Sequence, residues 1–321
     1  MKMKTLYCLL AMISPIGANA SETISIDTDQ VTVAGMSAGA QMAHQLHIAY
    51  PEMFSGAALL AGGPFGCAQG SLTTAMSRCM GKLDEDLPIA EFLMQTKAAS
   101  AAQKLGDLAL LKDDQVWVFH GALDTIVASG QGAATVDFYR GMGVSNVRYL
   151  DKVLAAHTFP TLENGAACDA VIPPFVGACN FDAAGESLQF LYGELEEPSA
   201  ELTTKLMEVE LPNAQAAGLL EQAYVFTPSV CRSGEESCKA QLILHGCNQS
   251  SAQVGTEFIE LSGYLQWAEA NNIVLAFPQV AVAAANPYAC WDWWGYTGEN
   301  YRWRDGAQMK VLTDWVLQLK S

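Results

Sequence analysis

Basic residues are scarce. The 321-residue chain has 17 Lys and Arg against 34 Asp and Glu, a formal net charge of −17. Such a field repels phosphate backbones and anionic lipid, so a nucleic-acid partner is excluded as an expectation. A neutral substrate meets no such barrier. No apolar run reaches the roughly 18 residues that a membrane-spanning helix needs. Cysteines at the C-x₂₋₄-C spacing of a zinc site are also absent, so neither a metal nor another cofactor is expected. Disorder is excluded because half of the residues are apolar.

The first 20 residues read MKMKTLYCLLAMISPIGANA. Lys2 and Lys4 make a basic start, Leu6 to Ile16 a short apolar run, and Ala18-Asn19-Ala20 a small-residue cleavage site. This is the pattern of an export signal. The expected organisation is a signal peptide at 1–20 and a single catalytic domain at 21–321, secreted to the exterior or periplasm. Removing the signal leaves 15 basic and 34 acidic residues. It also removes Cys8 and leaves eight cysteines, an even number suited to disulfides in an exported chain. Eight cysteines allow 105 pairings. The simplest is local: Cys67–Cys79, Cys168–Cys179, Cys231–Cys238 and Cys247–Cys290.

Short buried strands are expected at 31–35, 56–61, 115–120, 146–151, 222–227, 240–245 and 272–277. Helical periodicity falls at about 38–49, 88–104, 131–141, 255–270 and 305–319. Strands alternating with helices predict an α/β fold, a mostly parallel central sheet with helices on both faces. The stretch from 160 to about 221 is irregular. Its acidic part, GELEEPSAELTTKLMEVE, reads as a solvated helix or surface connection.

The segment VTVAGMSAGA, residues 31–40, carries Gly-x-Ser-x-Gly. The pattern alone is weak. Its context is stronger, because a strand precedes it and a helix follows until Pro51. A strand, a tight turn and a helix make the nucleophile elbow of an α/β hydrolase, with Ser37 as nucleophile and glycines 35 and 39 where side chains would not fit. A serine needs a base. Among five histidines, His44 and His47 lie on the following helix, two or more turns away, and are expected to face sheet or solvent. His120 and His245 each end a strand. His157 lies in a loop after a strand, which is where such hydrolases keep the base. The alternative for His157 is a histidine simply packed by Phe159 and Pro160. Asp124, four residues past the strand ending at His120, is the expected acid, with Asp137 and Asp151 as the other candidates.

An oxyanion needs two donors. One is the N–H of Ala38, after the nucleophile. The other normally comes from a His-Gly-type loop after the third strand, ahead of the nucleophile. Here that loop is matched about 200 residues later, at His245-Gly246-Cys247. Joining the C-terminus to residue 24 would restore the ordinary order, so a circularly permuted α/β-hydrolase fold is expected.

With these residues in hand, the sequence resembles the single-domain, circularly permuted poly(3-hydroxybutyrate) depolymerases. The resemblance rests on GMSAGAQMA, FHGALDTIV, AAHTFPT with GACNFDAAGESLQFLYG, LILHGCNQS and ACWDWWGY. It implies a secreted serine esterase acting on a neutral polyester or its oligomers. The implied triad is Ser37, Asp124 and His157, with the N–H groups of Ala38 and Cys247 as oxyanion hole and a Cys247–Cys290 disulfide. Many bacterial relatives carry a polymer-binding module behind a Ser/Thr-rich linker. Neither is legible here, which counts against efficient attack on crystalline polymer.

Four of the seven tryptophans fall between 291 and 303. Trp291, Trp293, Trp294, Tyr296 and Trp303 are therefore expected to grip an apolar chain; packing in the core is the alternative for each. The chain is expected to act as a monomer. Two other functions stay open. One is an esterase for feruloyl or acetyl groups on plant-wall polysaccharide; the other is a non-catalytic binder on a hydrolase scaffold.

Overall fold

The computed structural model describes residues 24–81, 86–232 and 237–319. The expected signal at 1–20 lies outside them. The strands are β1 (Ile26–Met36), β2 (Gly56–Leu60), β3 (Gln115–Phe119), β4 (Asn146–Leu150), β5 (Phe159–Thr161), β6 (Ala166–Ala167), β7 (Val176–Ala178), β8 (Leu206–Glu210), β9 (Gln222–Phe226), β10 (Cys238–Leu244) and β11 (Ile273–Phe277). Eight of them form the main sheet in the order β4-β3-β2-β1-β10-β11-β9-β8. The first six of that order, from β4 to β11, pair in parallel, while β9 and β8 join antiparallel at one edge. Strands β5, β7 and β6 make a small separate parallel sheet.

The helices are α1 (Ala38–Ala49), α2 (Leu72–Ser77), α3 (Ile89–Ala101), α4 (Gly130–Met142), α5 (Ala183–Tyr192), α6 (Ser229–Arg232), α7 (Ser251–Val254), α8 (Glu257–Leu261), α9 (Tyr264–Asn271) and α10 (Ala307–Leu319). Both faces of the sheet are covered, which is why its central strands are apolar runs rather than alternating ones. Along β3, Val116 and Val118 join a core with Met42, Leu46, Phe92 and Phe138 of α1, α3 and α4. The intervening Trp117 and Phe119 point to the opposite core, with Leu188, Tyr264 and Trp267 of α5 and α9.

Three features depart from the sequence reading. The acidic stretch supplies no helix: Leu206–Glu210 is edge strand β8, paired antiparallel to β9. Its apolar Leu206 and Val209 are half-buried while the glutamates remain in solvent, so pairing overrides a composition that favours solvation. The irregular region also holds α5 and the small sheet. The continuous helix expected at 255–270 is broken into α8 and α9, with Gly263 between them at φ 86°, a left-handed conformation that suits glycine.

The topology places the chemistry. Ser37 follows β1, Asp124 lies beyond β3, His157 beyond β4, and Cys247 beyond β10. All four are at the C-terminal ends of parallel strands, where open α/β sheets build their sites. Strands β1 and β10 are neighbours in register, Gly35 opposite Leu244, so the Ser37 turn and the Cys247 loop emerge side by side.

Candidate active site

The turn at Ser37 is as tight as the spacing requires. Ser37 has φ 56° and ψ −119°, a sparsely populated conformation for a residue with a side chain. A Cβ added to Gly35 would lie 2.2 Å from the Gly39 carbonyl oxygen, and one on Gly39 would lie 2.1 Å from that of Leu244. Neither glycine can be replaced without moving backbone. The Ser37 N–H is held by the Leu60 carbonyl at 2.8 Å, which ties the turn to β2.

Three residues far apart in the chain meet here. The Ser37 Oγ lies 2.9 Å from His157 Nε2. The other ring nitrogen, Nδ1, lies 2.7 Å from Asp124 Oδ2. The imidazole therefore bridges hydroxyl and carboxylate, and with the proton on Nδ1 its Nε2 lone pair faces the serine. The Asp124 side chain is fully enclosed. Its Oδ1 accepts the N–H groups of Ile126 and Val127, each at 2.9 Å. Burial by itself would raise the carboxyl pKa, but hydrogen bonds from His120 and His157, the His157 charge and the Val127 N–H together hold it well below the usual carboxylate range.

His120 is a contributor that sequence reasoning considered only as a strand end. It is buried, its Nε2 lies 2.8 Å from the Val127 carbonyl oxygen and 3.5 Å from Asp124 Oδ2. Its spacing of four residues from Asp124 was the available signal. The other candidate acids are not brought in. Asp137 is exposed on α4, and Asp151 contacts Lys152 at 3.2 Å. His44 and His47 face neither sheet nor solvent. His44 is buried, stacked on Tyr139 with centroids 4.6 Å apart, and burial lowers its pKa to about 3. His47 sits between the Tyr139 hydroxyl and Asp114, at 2.9 and 3.0 Å. Together they lock α1 against α4 and the start of β3.

The loop after β10 stands beside Ser37. The N–H groups of Ala38 and Cys247 carry no hydrogen bond among the described residues. His245 braces the loop from below: Nδ1–H donates to the Gly246 carbonyl at 2.7 Å, and Nε2 accepts from the Val280 N–H at 3.2 Å. Burial lowers its pKa to about 4, so the ring is neutral and its tautomer defined. The eight cysteines pair as Cys67–Cys79, Cys168–Cys179, Cys231–Cys238 and Cys247–Cys290. The last joins the loop to the aromatic segment.

Ser37, Ala38, His157 and Cys247 open into a largely apolar cleft of about 540 Å³. Trp293 and Trp294 form part of its wall, as do Tyr288, Met76, Phe175 and Val171. Three of the expected aromatic residues stand elsewhere. Trp291 is fully buried and donates its indole N–H to the His245 carbonyl at 3.0 Å, so it supports the loop from the core. The Tyr296 hydroxyl donates to the Cys290 carbonyl at 2.9 Å and takes Gln308 as donor. Trp303 packs on Phe65 with the Arg302 guanidinium 4.5 Å over its ring, beside a separate shallow groove. Sequence reasoning overlooked Met76, Phe175 and Val171. Met76 lies on α2, and Val171 and Phe175 lie together between β6 and β7, both far in sequence from the aromatic segment, so no pattern around residues 288–303 announces them.

The same arrangement can be set beside known proteins. Residues 11–149 match the family model described as Esterase PHB depolymerase. The poly(3-hydroxybutyrate) depolymerase of Delftia acidovorans is 35% identical over 304 residues, covering 93% of this chain and 61% of that protein, so this chain spans less than two thirds of that relative. The polyhydroxybutyrate depolymerase of Talaromyces funiculosus is 32% identical over 329 residues, 95% of this chain and 94% of that one. Among solved structures, the PHB depolymerase from Penicillium funiculosum superposes with a TM-score of 0.86 at 29% identity, over 94% of this chain and 99% of that chain. A serine-to-alanine variant of a PHB depolymerase, complexed with R3HB trimer, gives the same values. With identity above 30% across nearly the whole of both sequences, this chain belongs to the esterase PHB depolymerase family.

Proposed function

We propose that the chain hydrolyses the ester bonds of poly(3-hydroxybutyrate) or its oligomers through an acyl-enzyme, with Ser37 as nucleophile, His157 as base and Asp124 as its orienting acid. The observation that carries this reading is the continuous Ser37–His157–Asp124 hydrogen-bond chain at 2.9 and 2.7 Å, opening into an apolar cleft. The Ser37 Oγ attacks the ester carbonyl carbon while His157 Nε2 takes its proton. The carbonyl oxygen becomes an oxyanion held by the Ala38 and Cys247 N–H groups. The C–O bond to the next unit then breaks, and protonated His157 delivers its proton to the departing alkoxide. Water repeats the sequence on the acyl-serine, freeing the acid and restoring Ser37. No step consumes an external acid, base or redox partner.

The wall of Trp293, Trp294, Tyr288 and Met76 suits an uncharged, weakly polar chain, and the acidic surface does not repel it. The named relatives support the same substrate. The sheet order supports the circularly permuted reading: counted from Leu206, β10 is the third strand and carries the Cys247 loop, and β1, next to it in the sheet, would come fifth. Four disulfides support export, with 1–20 as the signal. The three triad residues and both donors come from one chain, which supports action as a monomer.

Incubation with a turbid suspension of poly(3-hydroxybutyrate) tests the reading: wild type clears it and releases hydroxyacid. An enzyme that leaves the suspension turbid but cleaves feruloyl or acetyl esters would move the assignment to a plant-wall esterase. Trp294→Ala separates cleft from chemistry. A polymer occupies several subsites and a short p-nitrophenyl ester one. Loss of apolar contact worth roughly 1–3 kcal/mol should weaken polyester hydrolysis about tenfold or more and nearly spare the short ester. Equal loss on both substrates would mean that Trp294 acts through packing alone.

A further inference from the structure

One buried amide in the cleft wall has no part in the steps above. Gln249 is 2% exposed. Its Oε1 accepts the Gly246 N–H at 2.6 Å, and its Nε2 donates to the carbonyls of Pro174 at 2.8 Å and Phe175 at 3.3 Å. Gly246 belongs to the loop beside Ser37, and Phe175 to another wall of the cleft. A Cβ built on Gly246 would lie 2.7 Å from Gln249 Oε1 and 3.4 Å from the Ser37 Cβ. The loop backbone is thus confined between this side chain and the serine.

The loop offers two consecutive N–H donors to the region. Gln249 occupies the one on Gly246. The one on Cys247 has no partner among the described residues. On the far side, the Asn248 N–H is bound by the Tyr288 carbonyl at 2.7 Å, and Cys247 is bonded to Cys290. Gln249 is the tie that comes from the Phe175 side. A donor stabilises an oxyanion only if it is aimed before the charge develops, since reorienting it during the reaction costs the advantage.

We propose that Gln249 is a positioning residue for the oxyanion hole. It engages the Gly246 N–H and fastens the loop to the Pro174 and Phe175 carbonyls, and so sets where the Cys247 N–H stands relative to Ser37. The proposal rests on the hydrolase reading above. Gln249 is neither a triad member nor an oxyanion donor; its effect is transmitted through the backbone it holds.

Gln249→Met removes both sets of bonds at similar volume. Gln249→Glu keeps an oxygen for the Gly246 N–H and loses the donor to Pro174 and Phe175. The readouts are kcat and KM on a soluble short ester, with kcat expressed per serine titrated by a fluorophosphonate, so that unfolded protein does not count. Removing an oxyanion donor outright costs roughly 10²–10³ in kcat; misplacing one in Gln249→Met should cost about 10- to 100-fold. KM should move less than about twofold, the pattern of an interaction made only in the transition state. Gln249→Glu should fall between Gln249→Met and wild type. Unchanged kcat per titrated serine in Gln249→Met overturns the proposal and leaves the hydrolase reading standing, as does a change confined to KM. If Gln249→Met yields no folded protein, Gln249→Glu decides: kcat equal to wild type overturns the proposal, and reduced kcat at unchanged KM supports it. Failure of the probe to label Ser37 in wild type overturns both.

Discussion

Ser37→Ala should lower kcat by about 10⁵–10⁶-fold, the scale on which triad serines are lost elsewhere, while the protein remains folded. The Ser37 hydroxyl is the atom that would become covalently bonded, so its loss removes the acyl-enzyme route itself. The fold does not depend on it. The strained turn is held by backbone, through the Ser37 N–H to Leu60 and the close packing of Gly35 on Gly39. Alanine can occupy the same backbone, and it leaves His157 bonded to Asp124. The expected result is an inactive protein with a near-native unfolding midpoint, unlabelled by a fluorophosphonate. Turnover within a hundredfold of wild type, or labelling at another serine, would refute the assignment.

Asp124→Asn should lower kcat by about 10⁴-fold, the loss seen when a triad acid becomes an amide and the imidazole takes the wrong tautomer. The local geometry makes the effect severe. Asp124 is enclosed and receives the N–H groups of Ile126 and Val127 as well as His157, with His120 nearby. An amide N–H placed toward His157 finds its acceptor only in an unprotonated Nδ1, which puts the ring proton on Nε2 and removes the lone pair that faces Ser37. Asp124 should also shape acid stability. Its folded pKa lies below the ordinary carboxylate range, so its ionised form favours the folded state. That contribution is complete above the unfolded-state value and is lost as the pH falls through the folded one. Unfolding midpoints measured from neutral pH downward should fall less steeply in Asp124→Asn than in wild type. Parallel curves, or more than a tenth of wild-type kcat, would refute the role given to Asp124.

Much of this was legible because local rules and the final arrangement agree. The Ser37 turn can be read from five residues: a sharp strand-to-helix turn excludes side chains at 35 and 39 wherever it occurs, and here Cβ atoms at either position would strike backbone. Asp124 and His157 can be read because parallel strands deliver their following loops to one edge of the sheet. The strand at 206–210 is a counterexample. LMEVE becomes a strand by pairing with β9, and no property of those five residues announces the partner.

The sequence by itself therefore determined the alternating α/β layout, the candidate triad and the neighbouring cysteine pairs, since each depends on short-range sterics, strand order or local spacing. Only the tertiary structure decided which side chains face the cleft. Trp291, Trp293 and Trp294 are nearly consecutive, yet the first is sealed beneath His245 while the other two line the cavity. Gln249 likewise becomes significant only because the chain returns at Pro174 and Phe175 to meet it. The physical reason is that burial and hydrogen bonding depend on what lies across the gap, and here that is a segment 46 residues away for Trp291 and 74 or 75 residues away for Gln249.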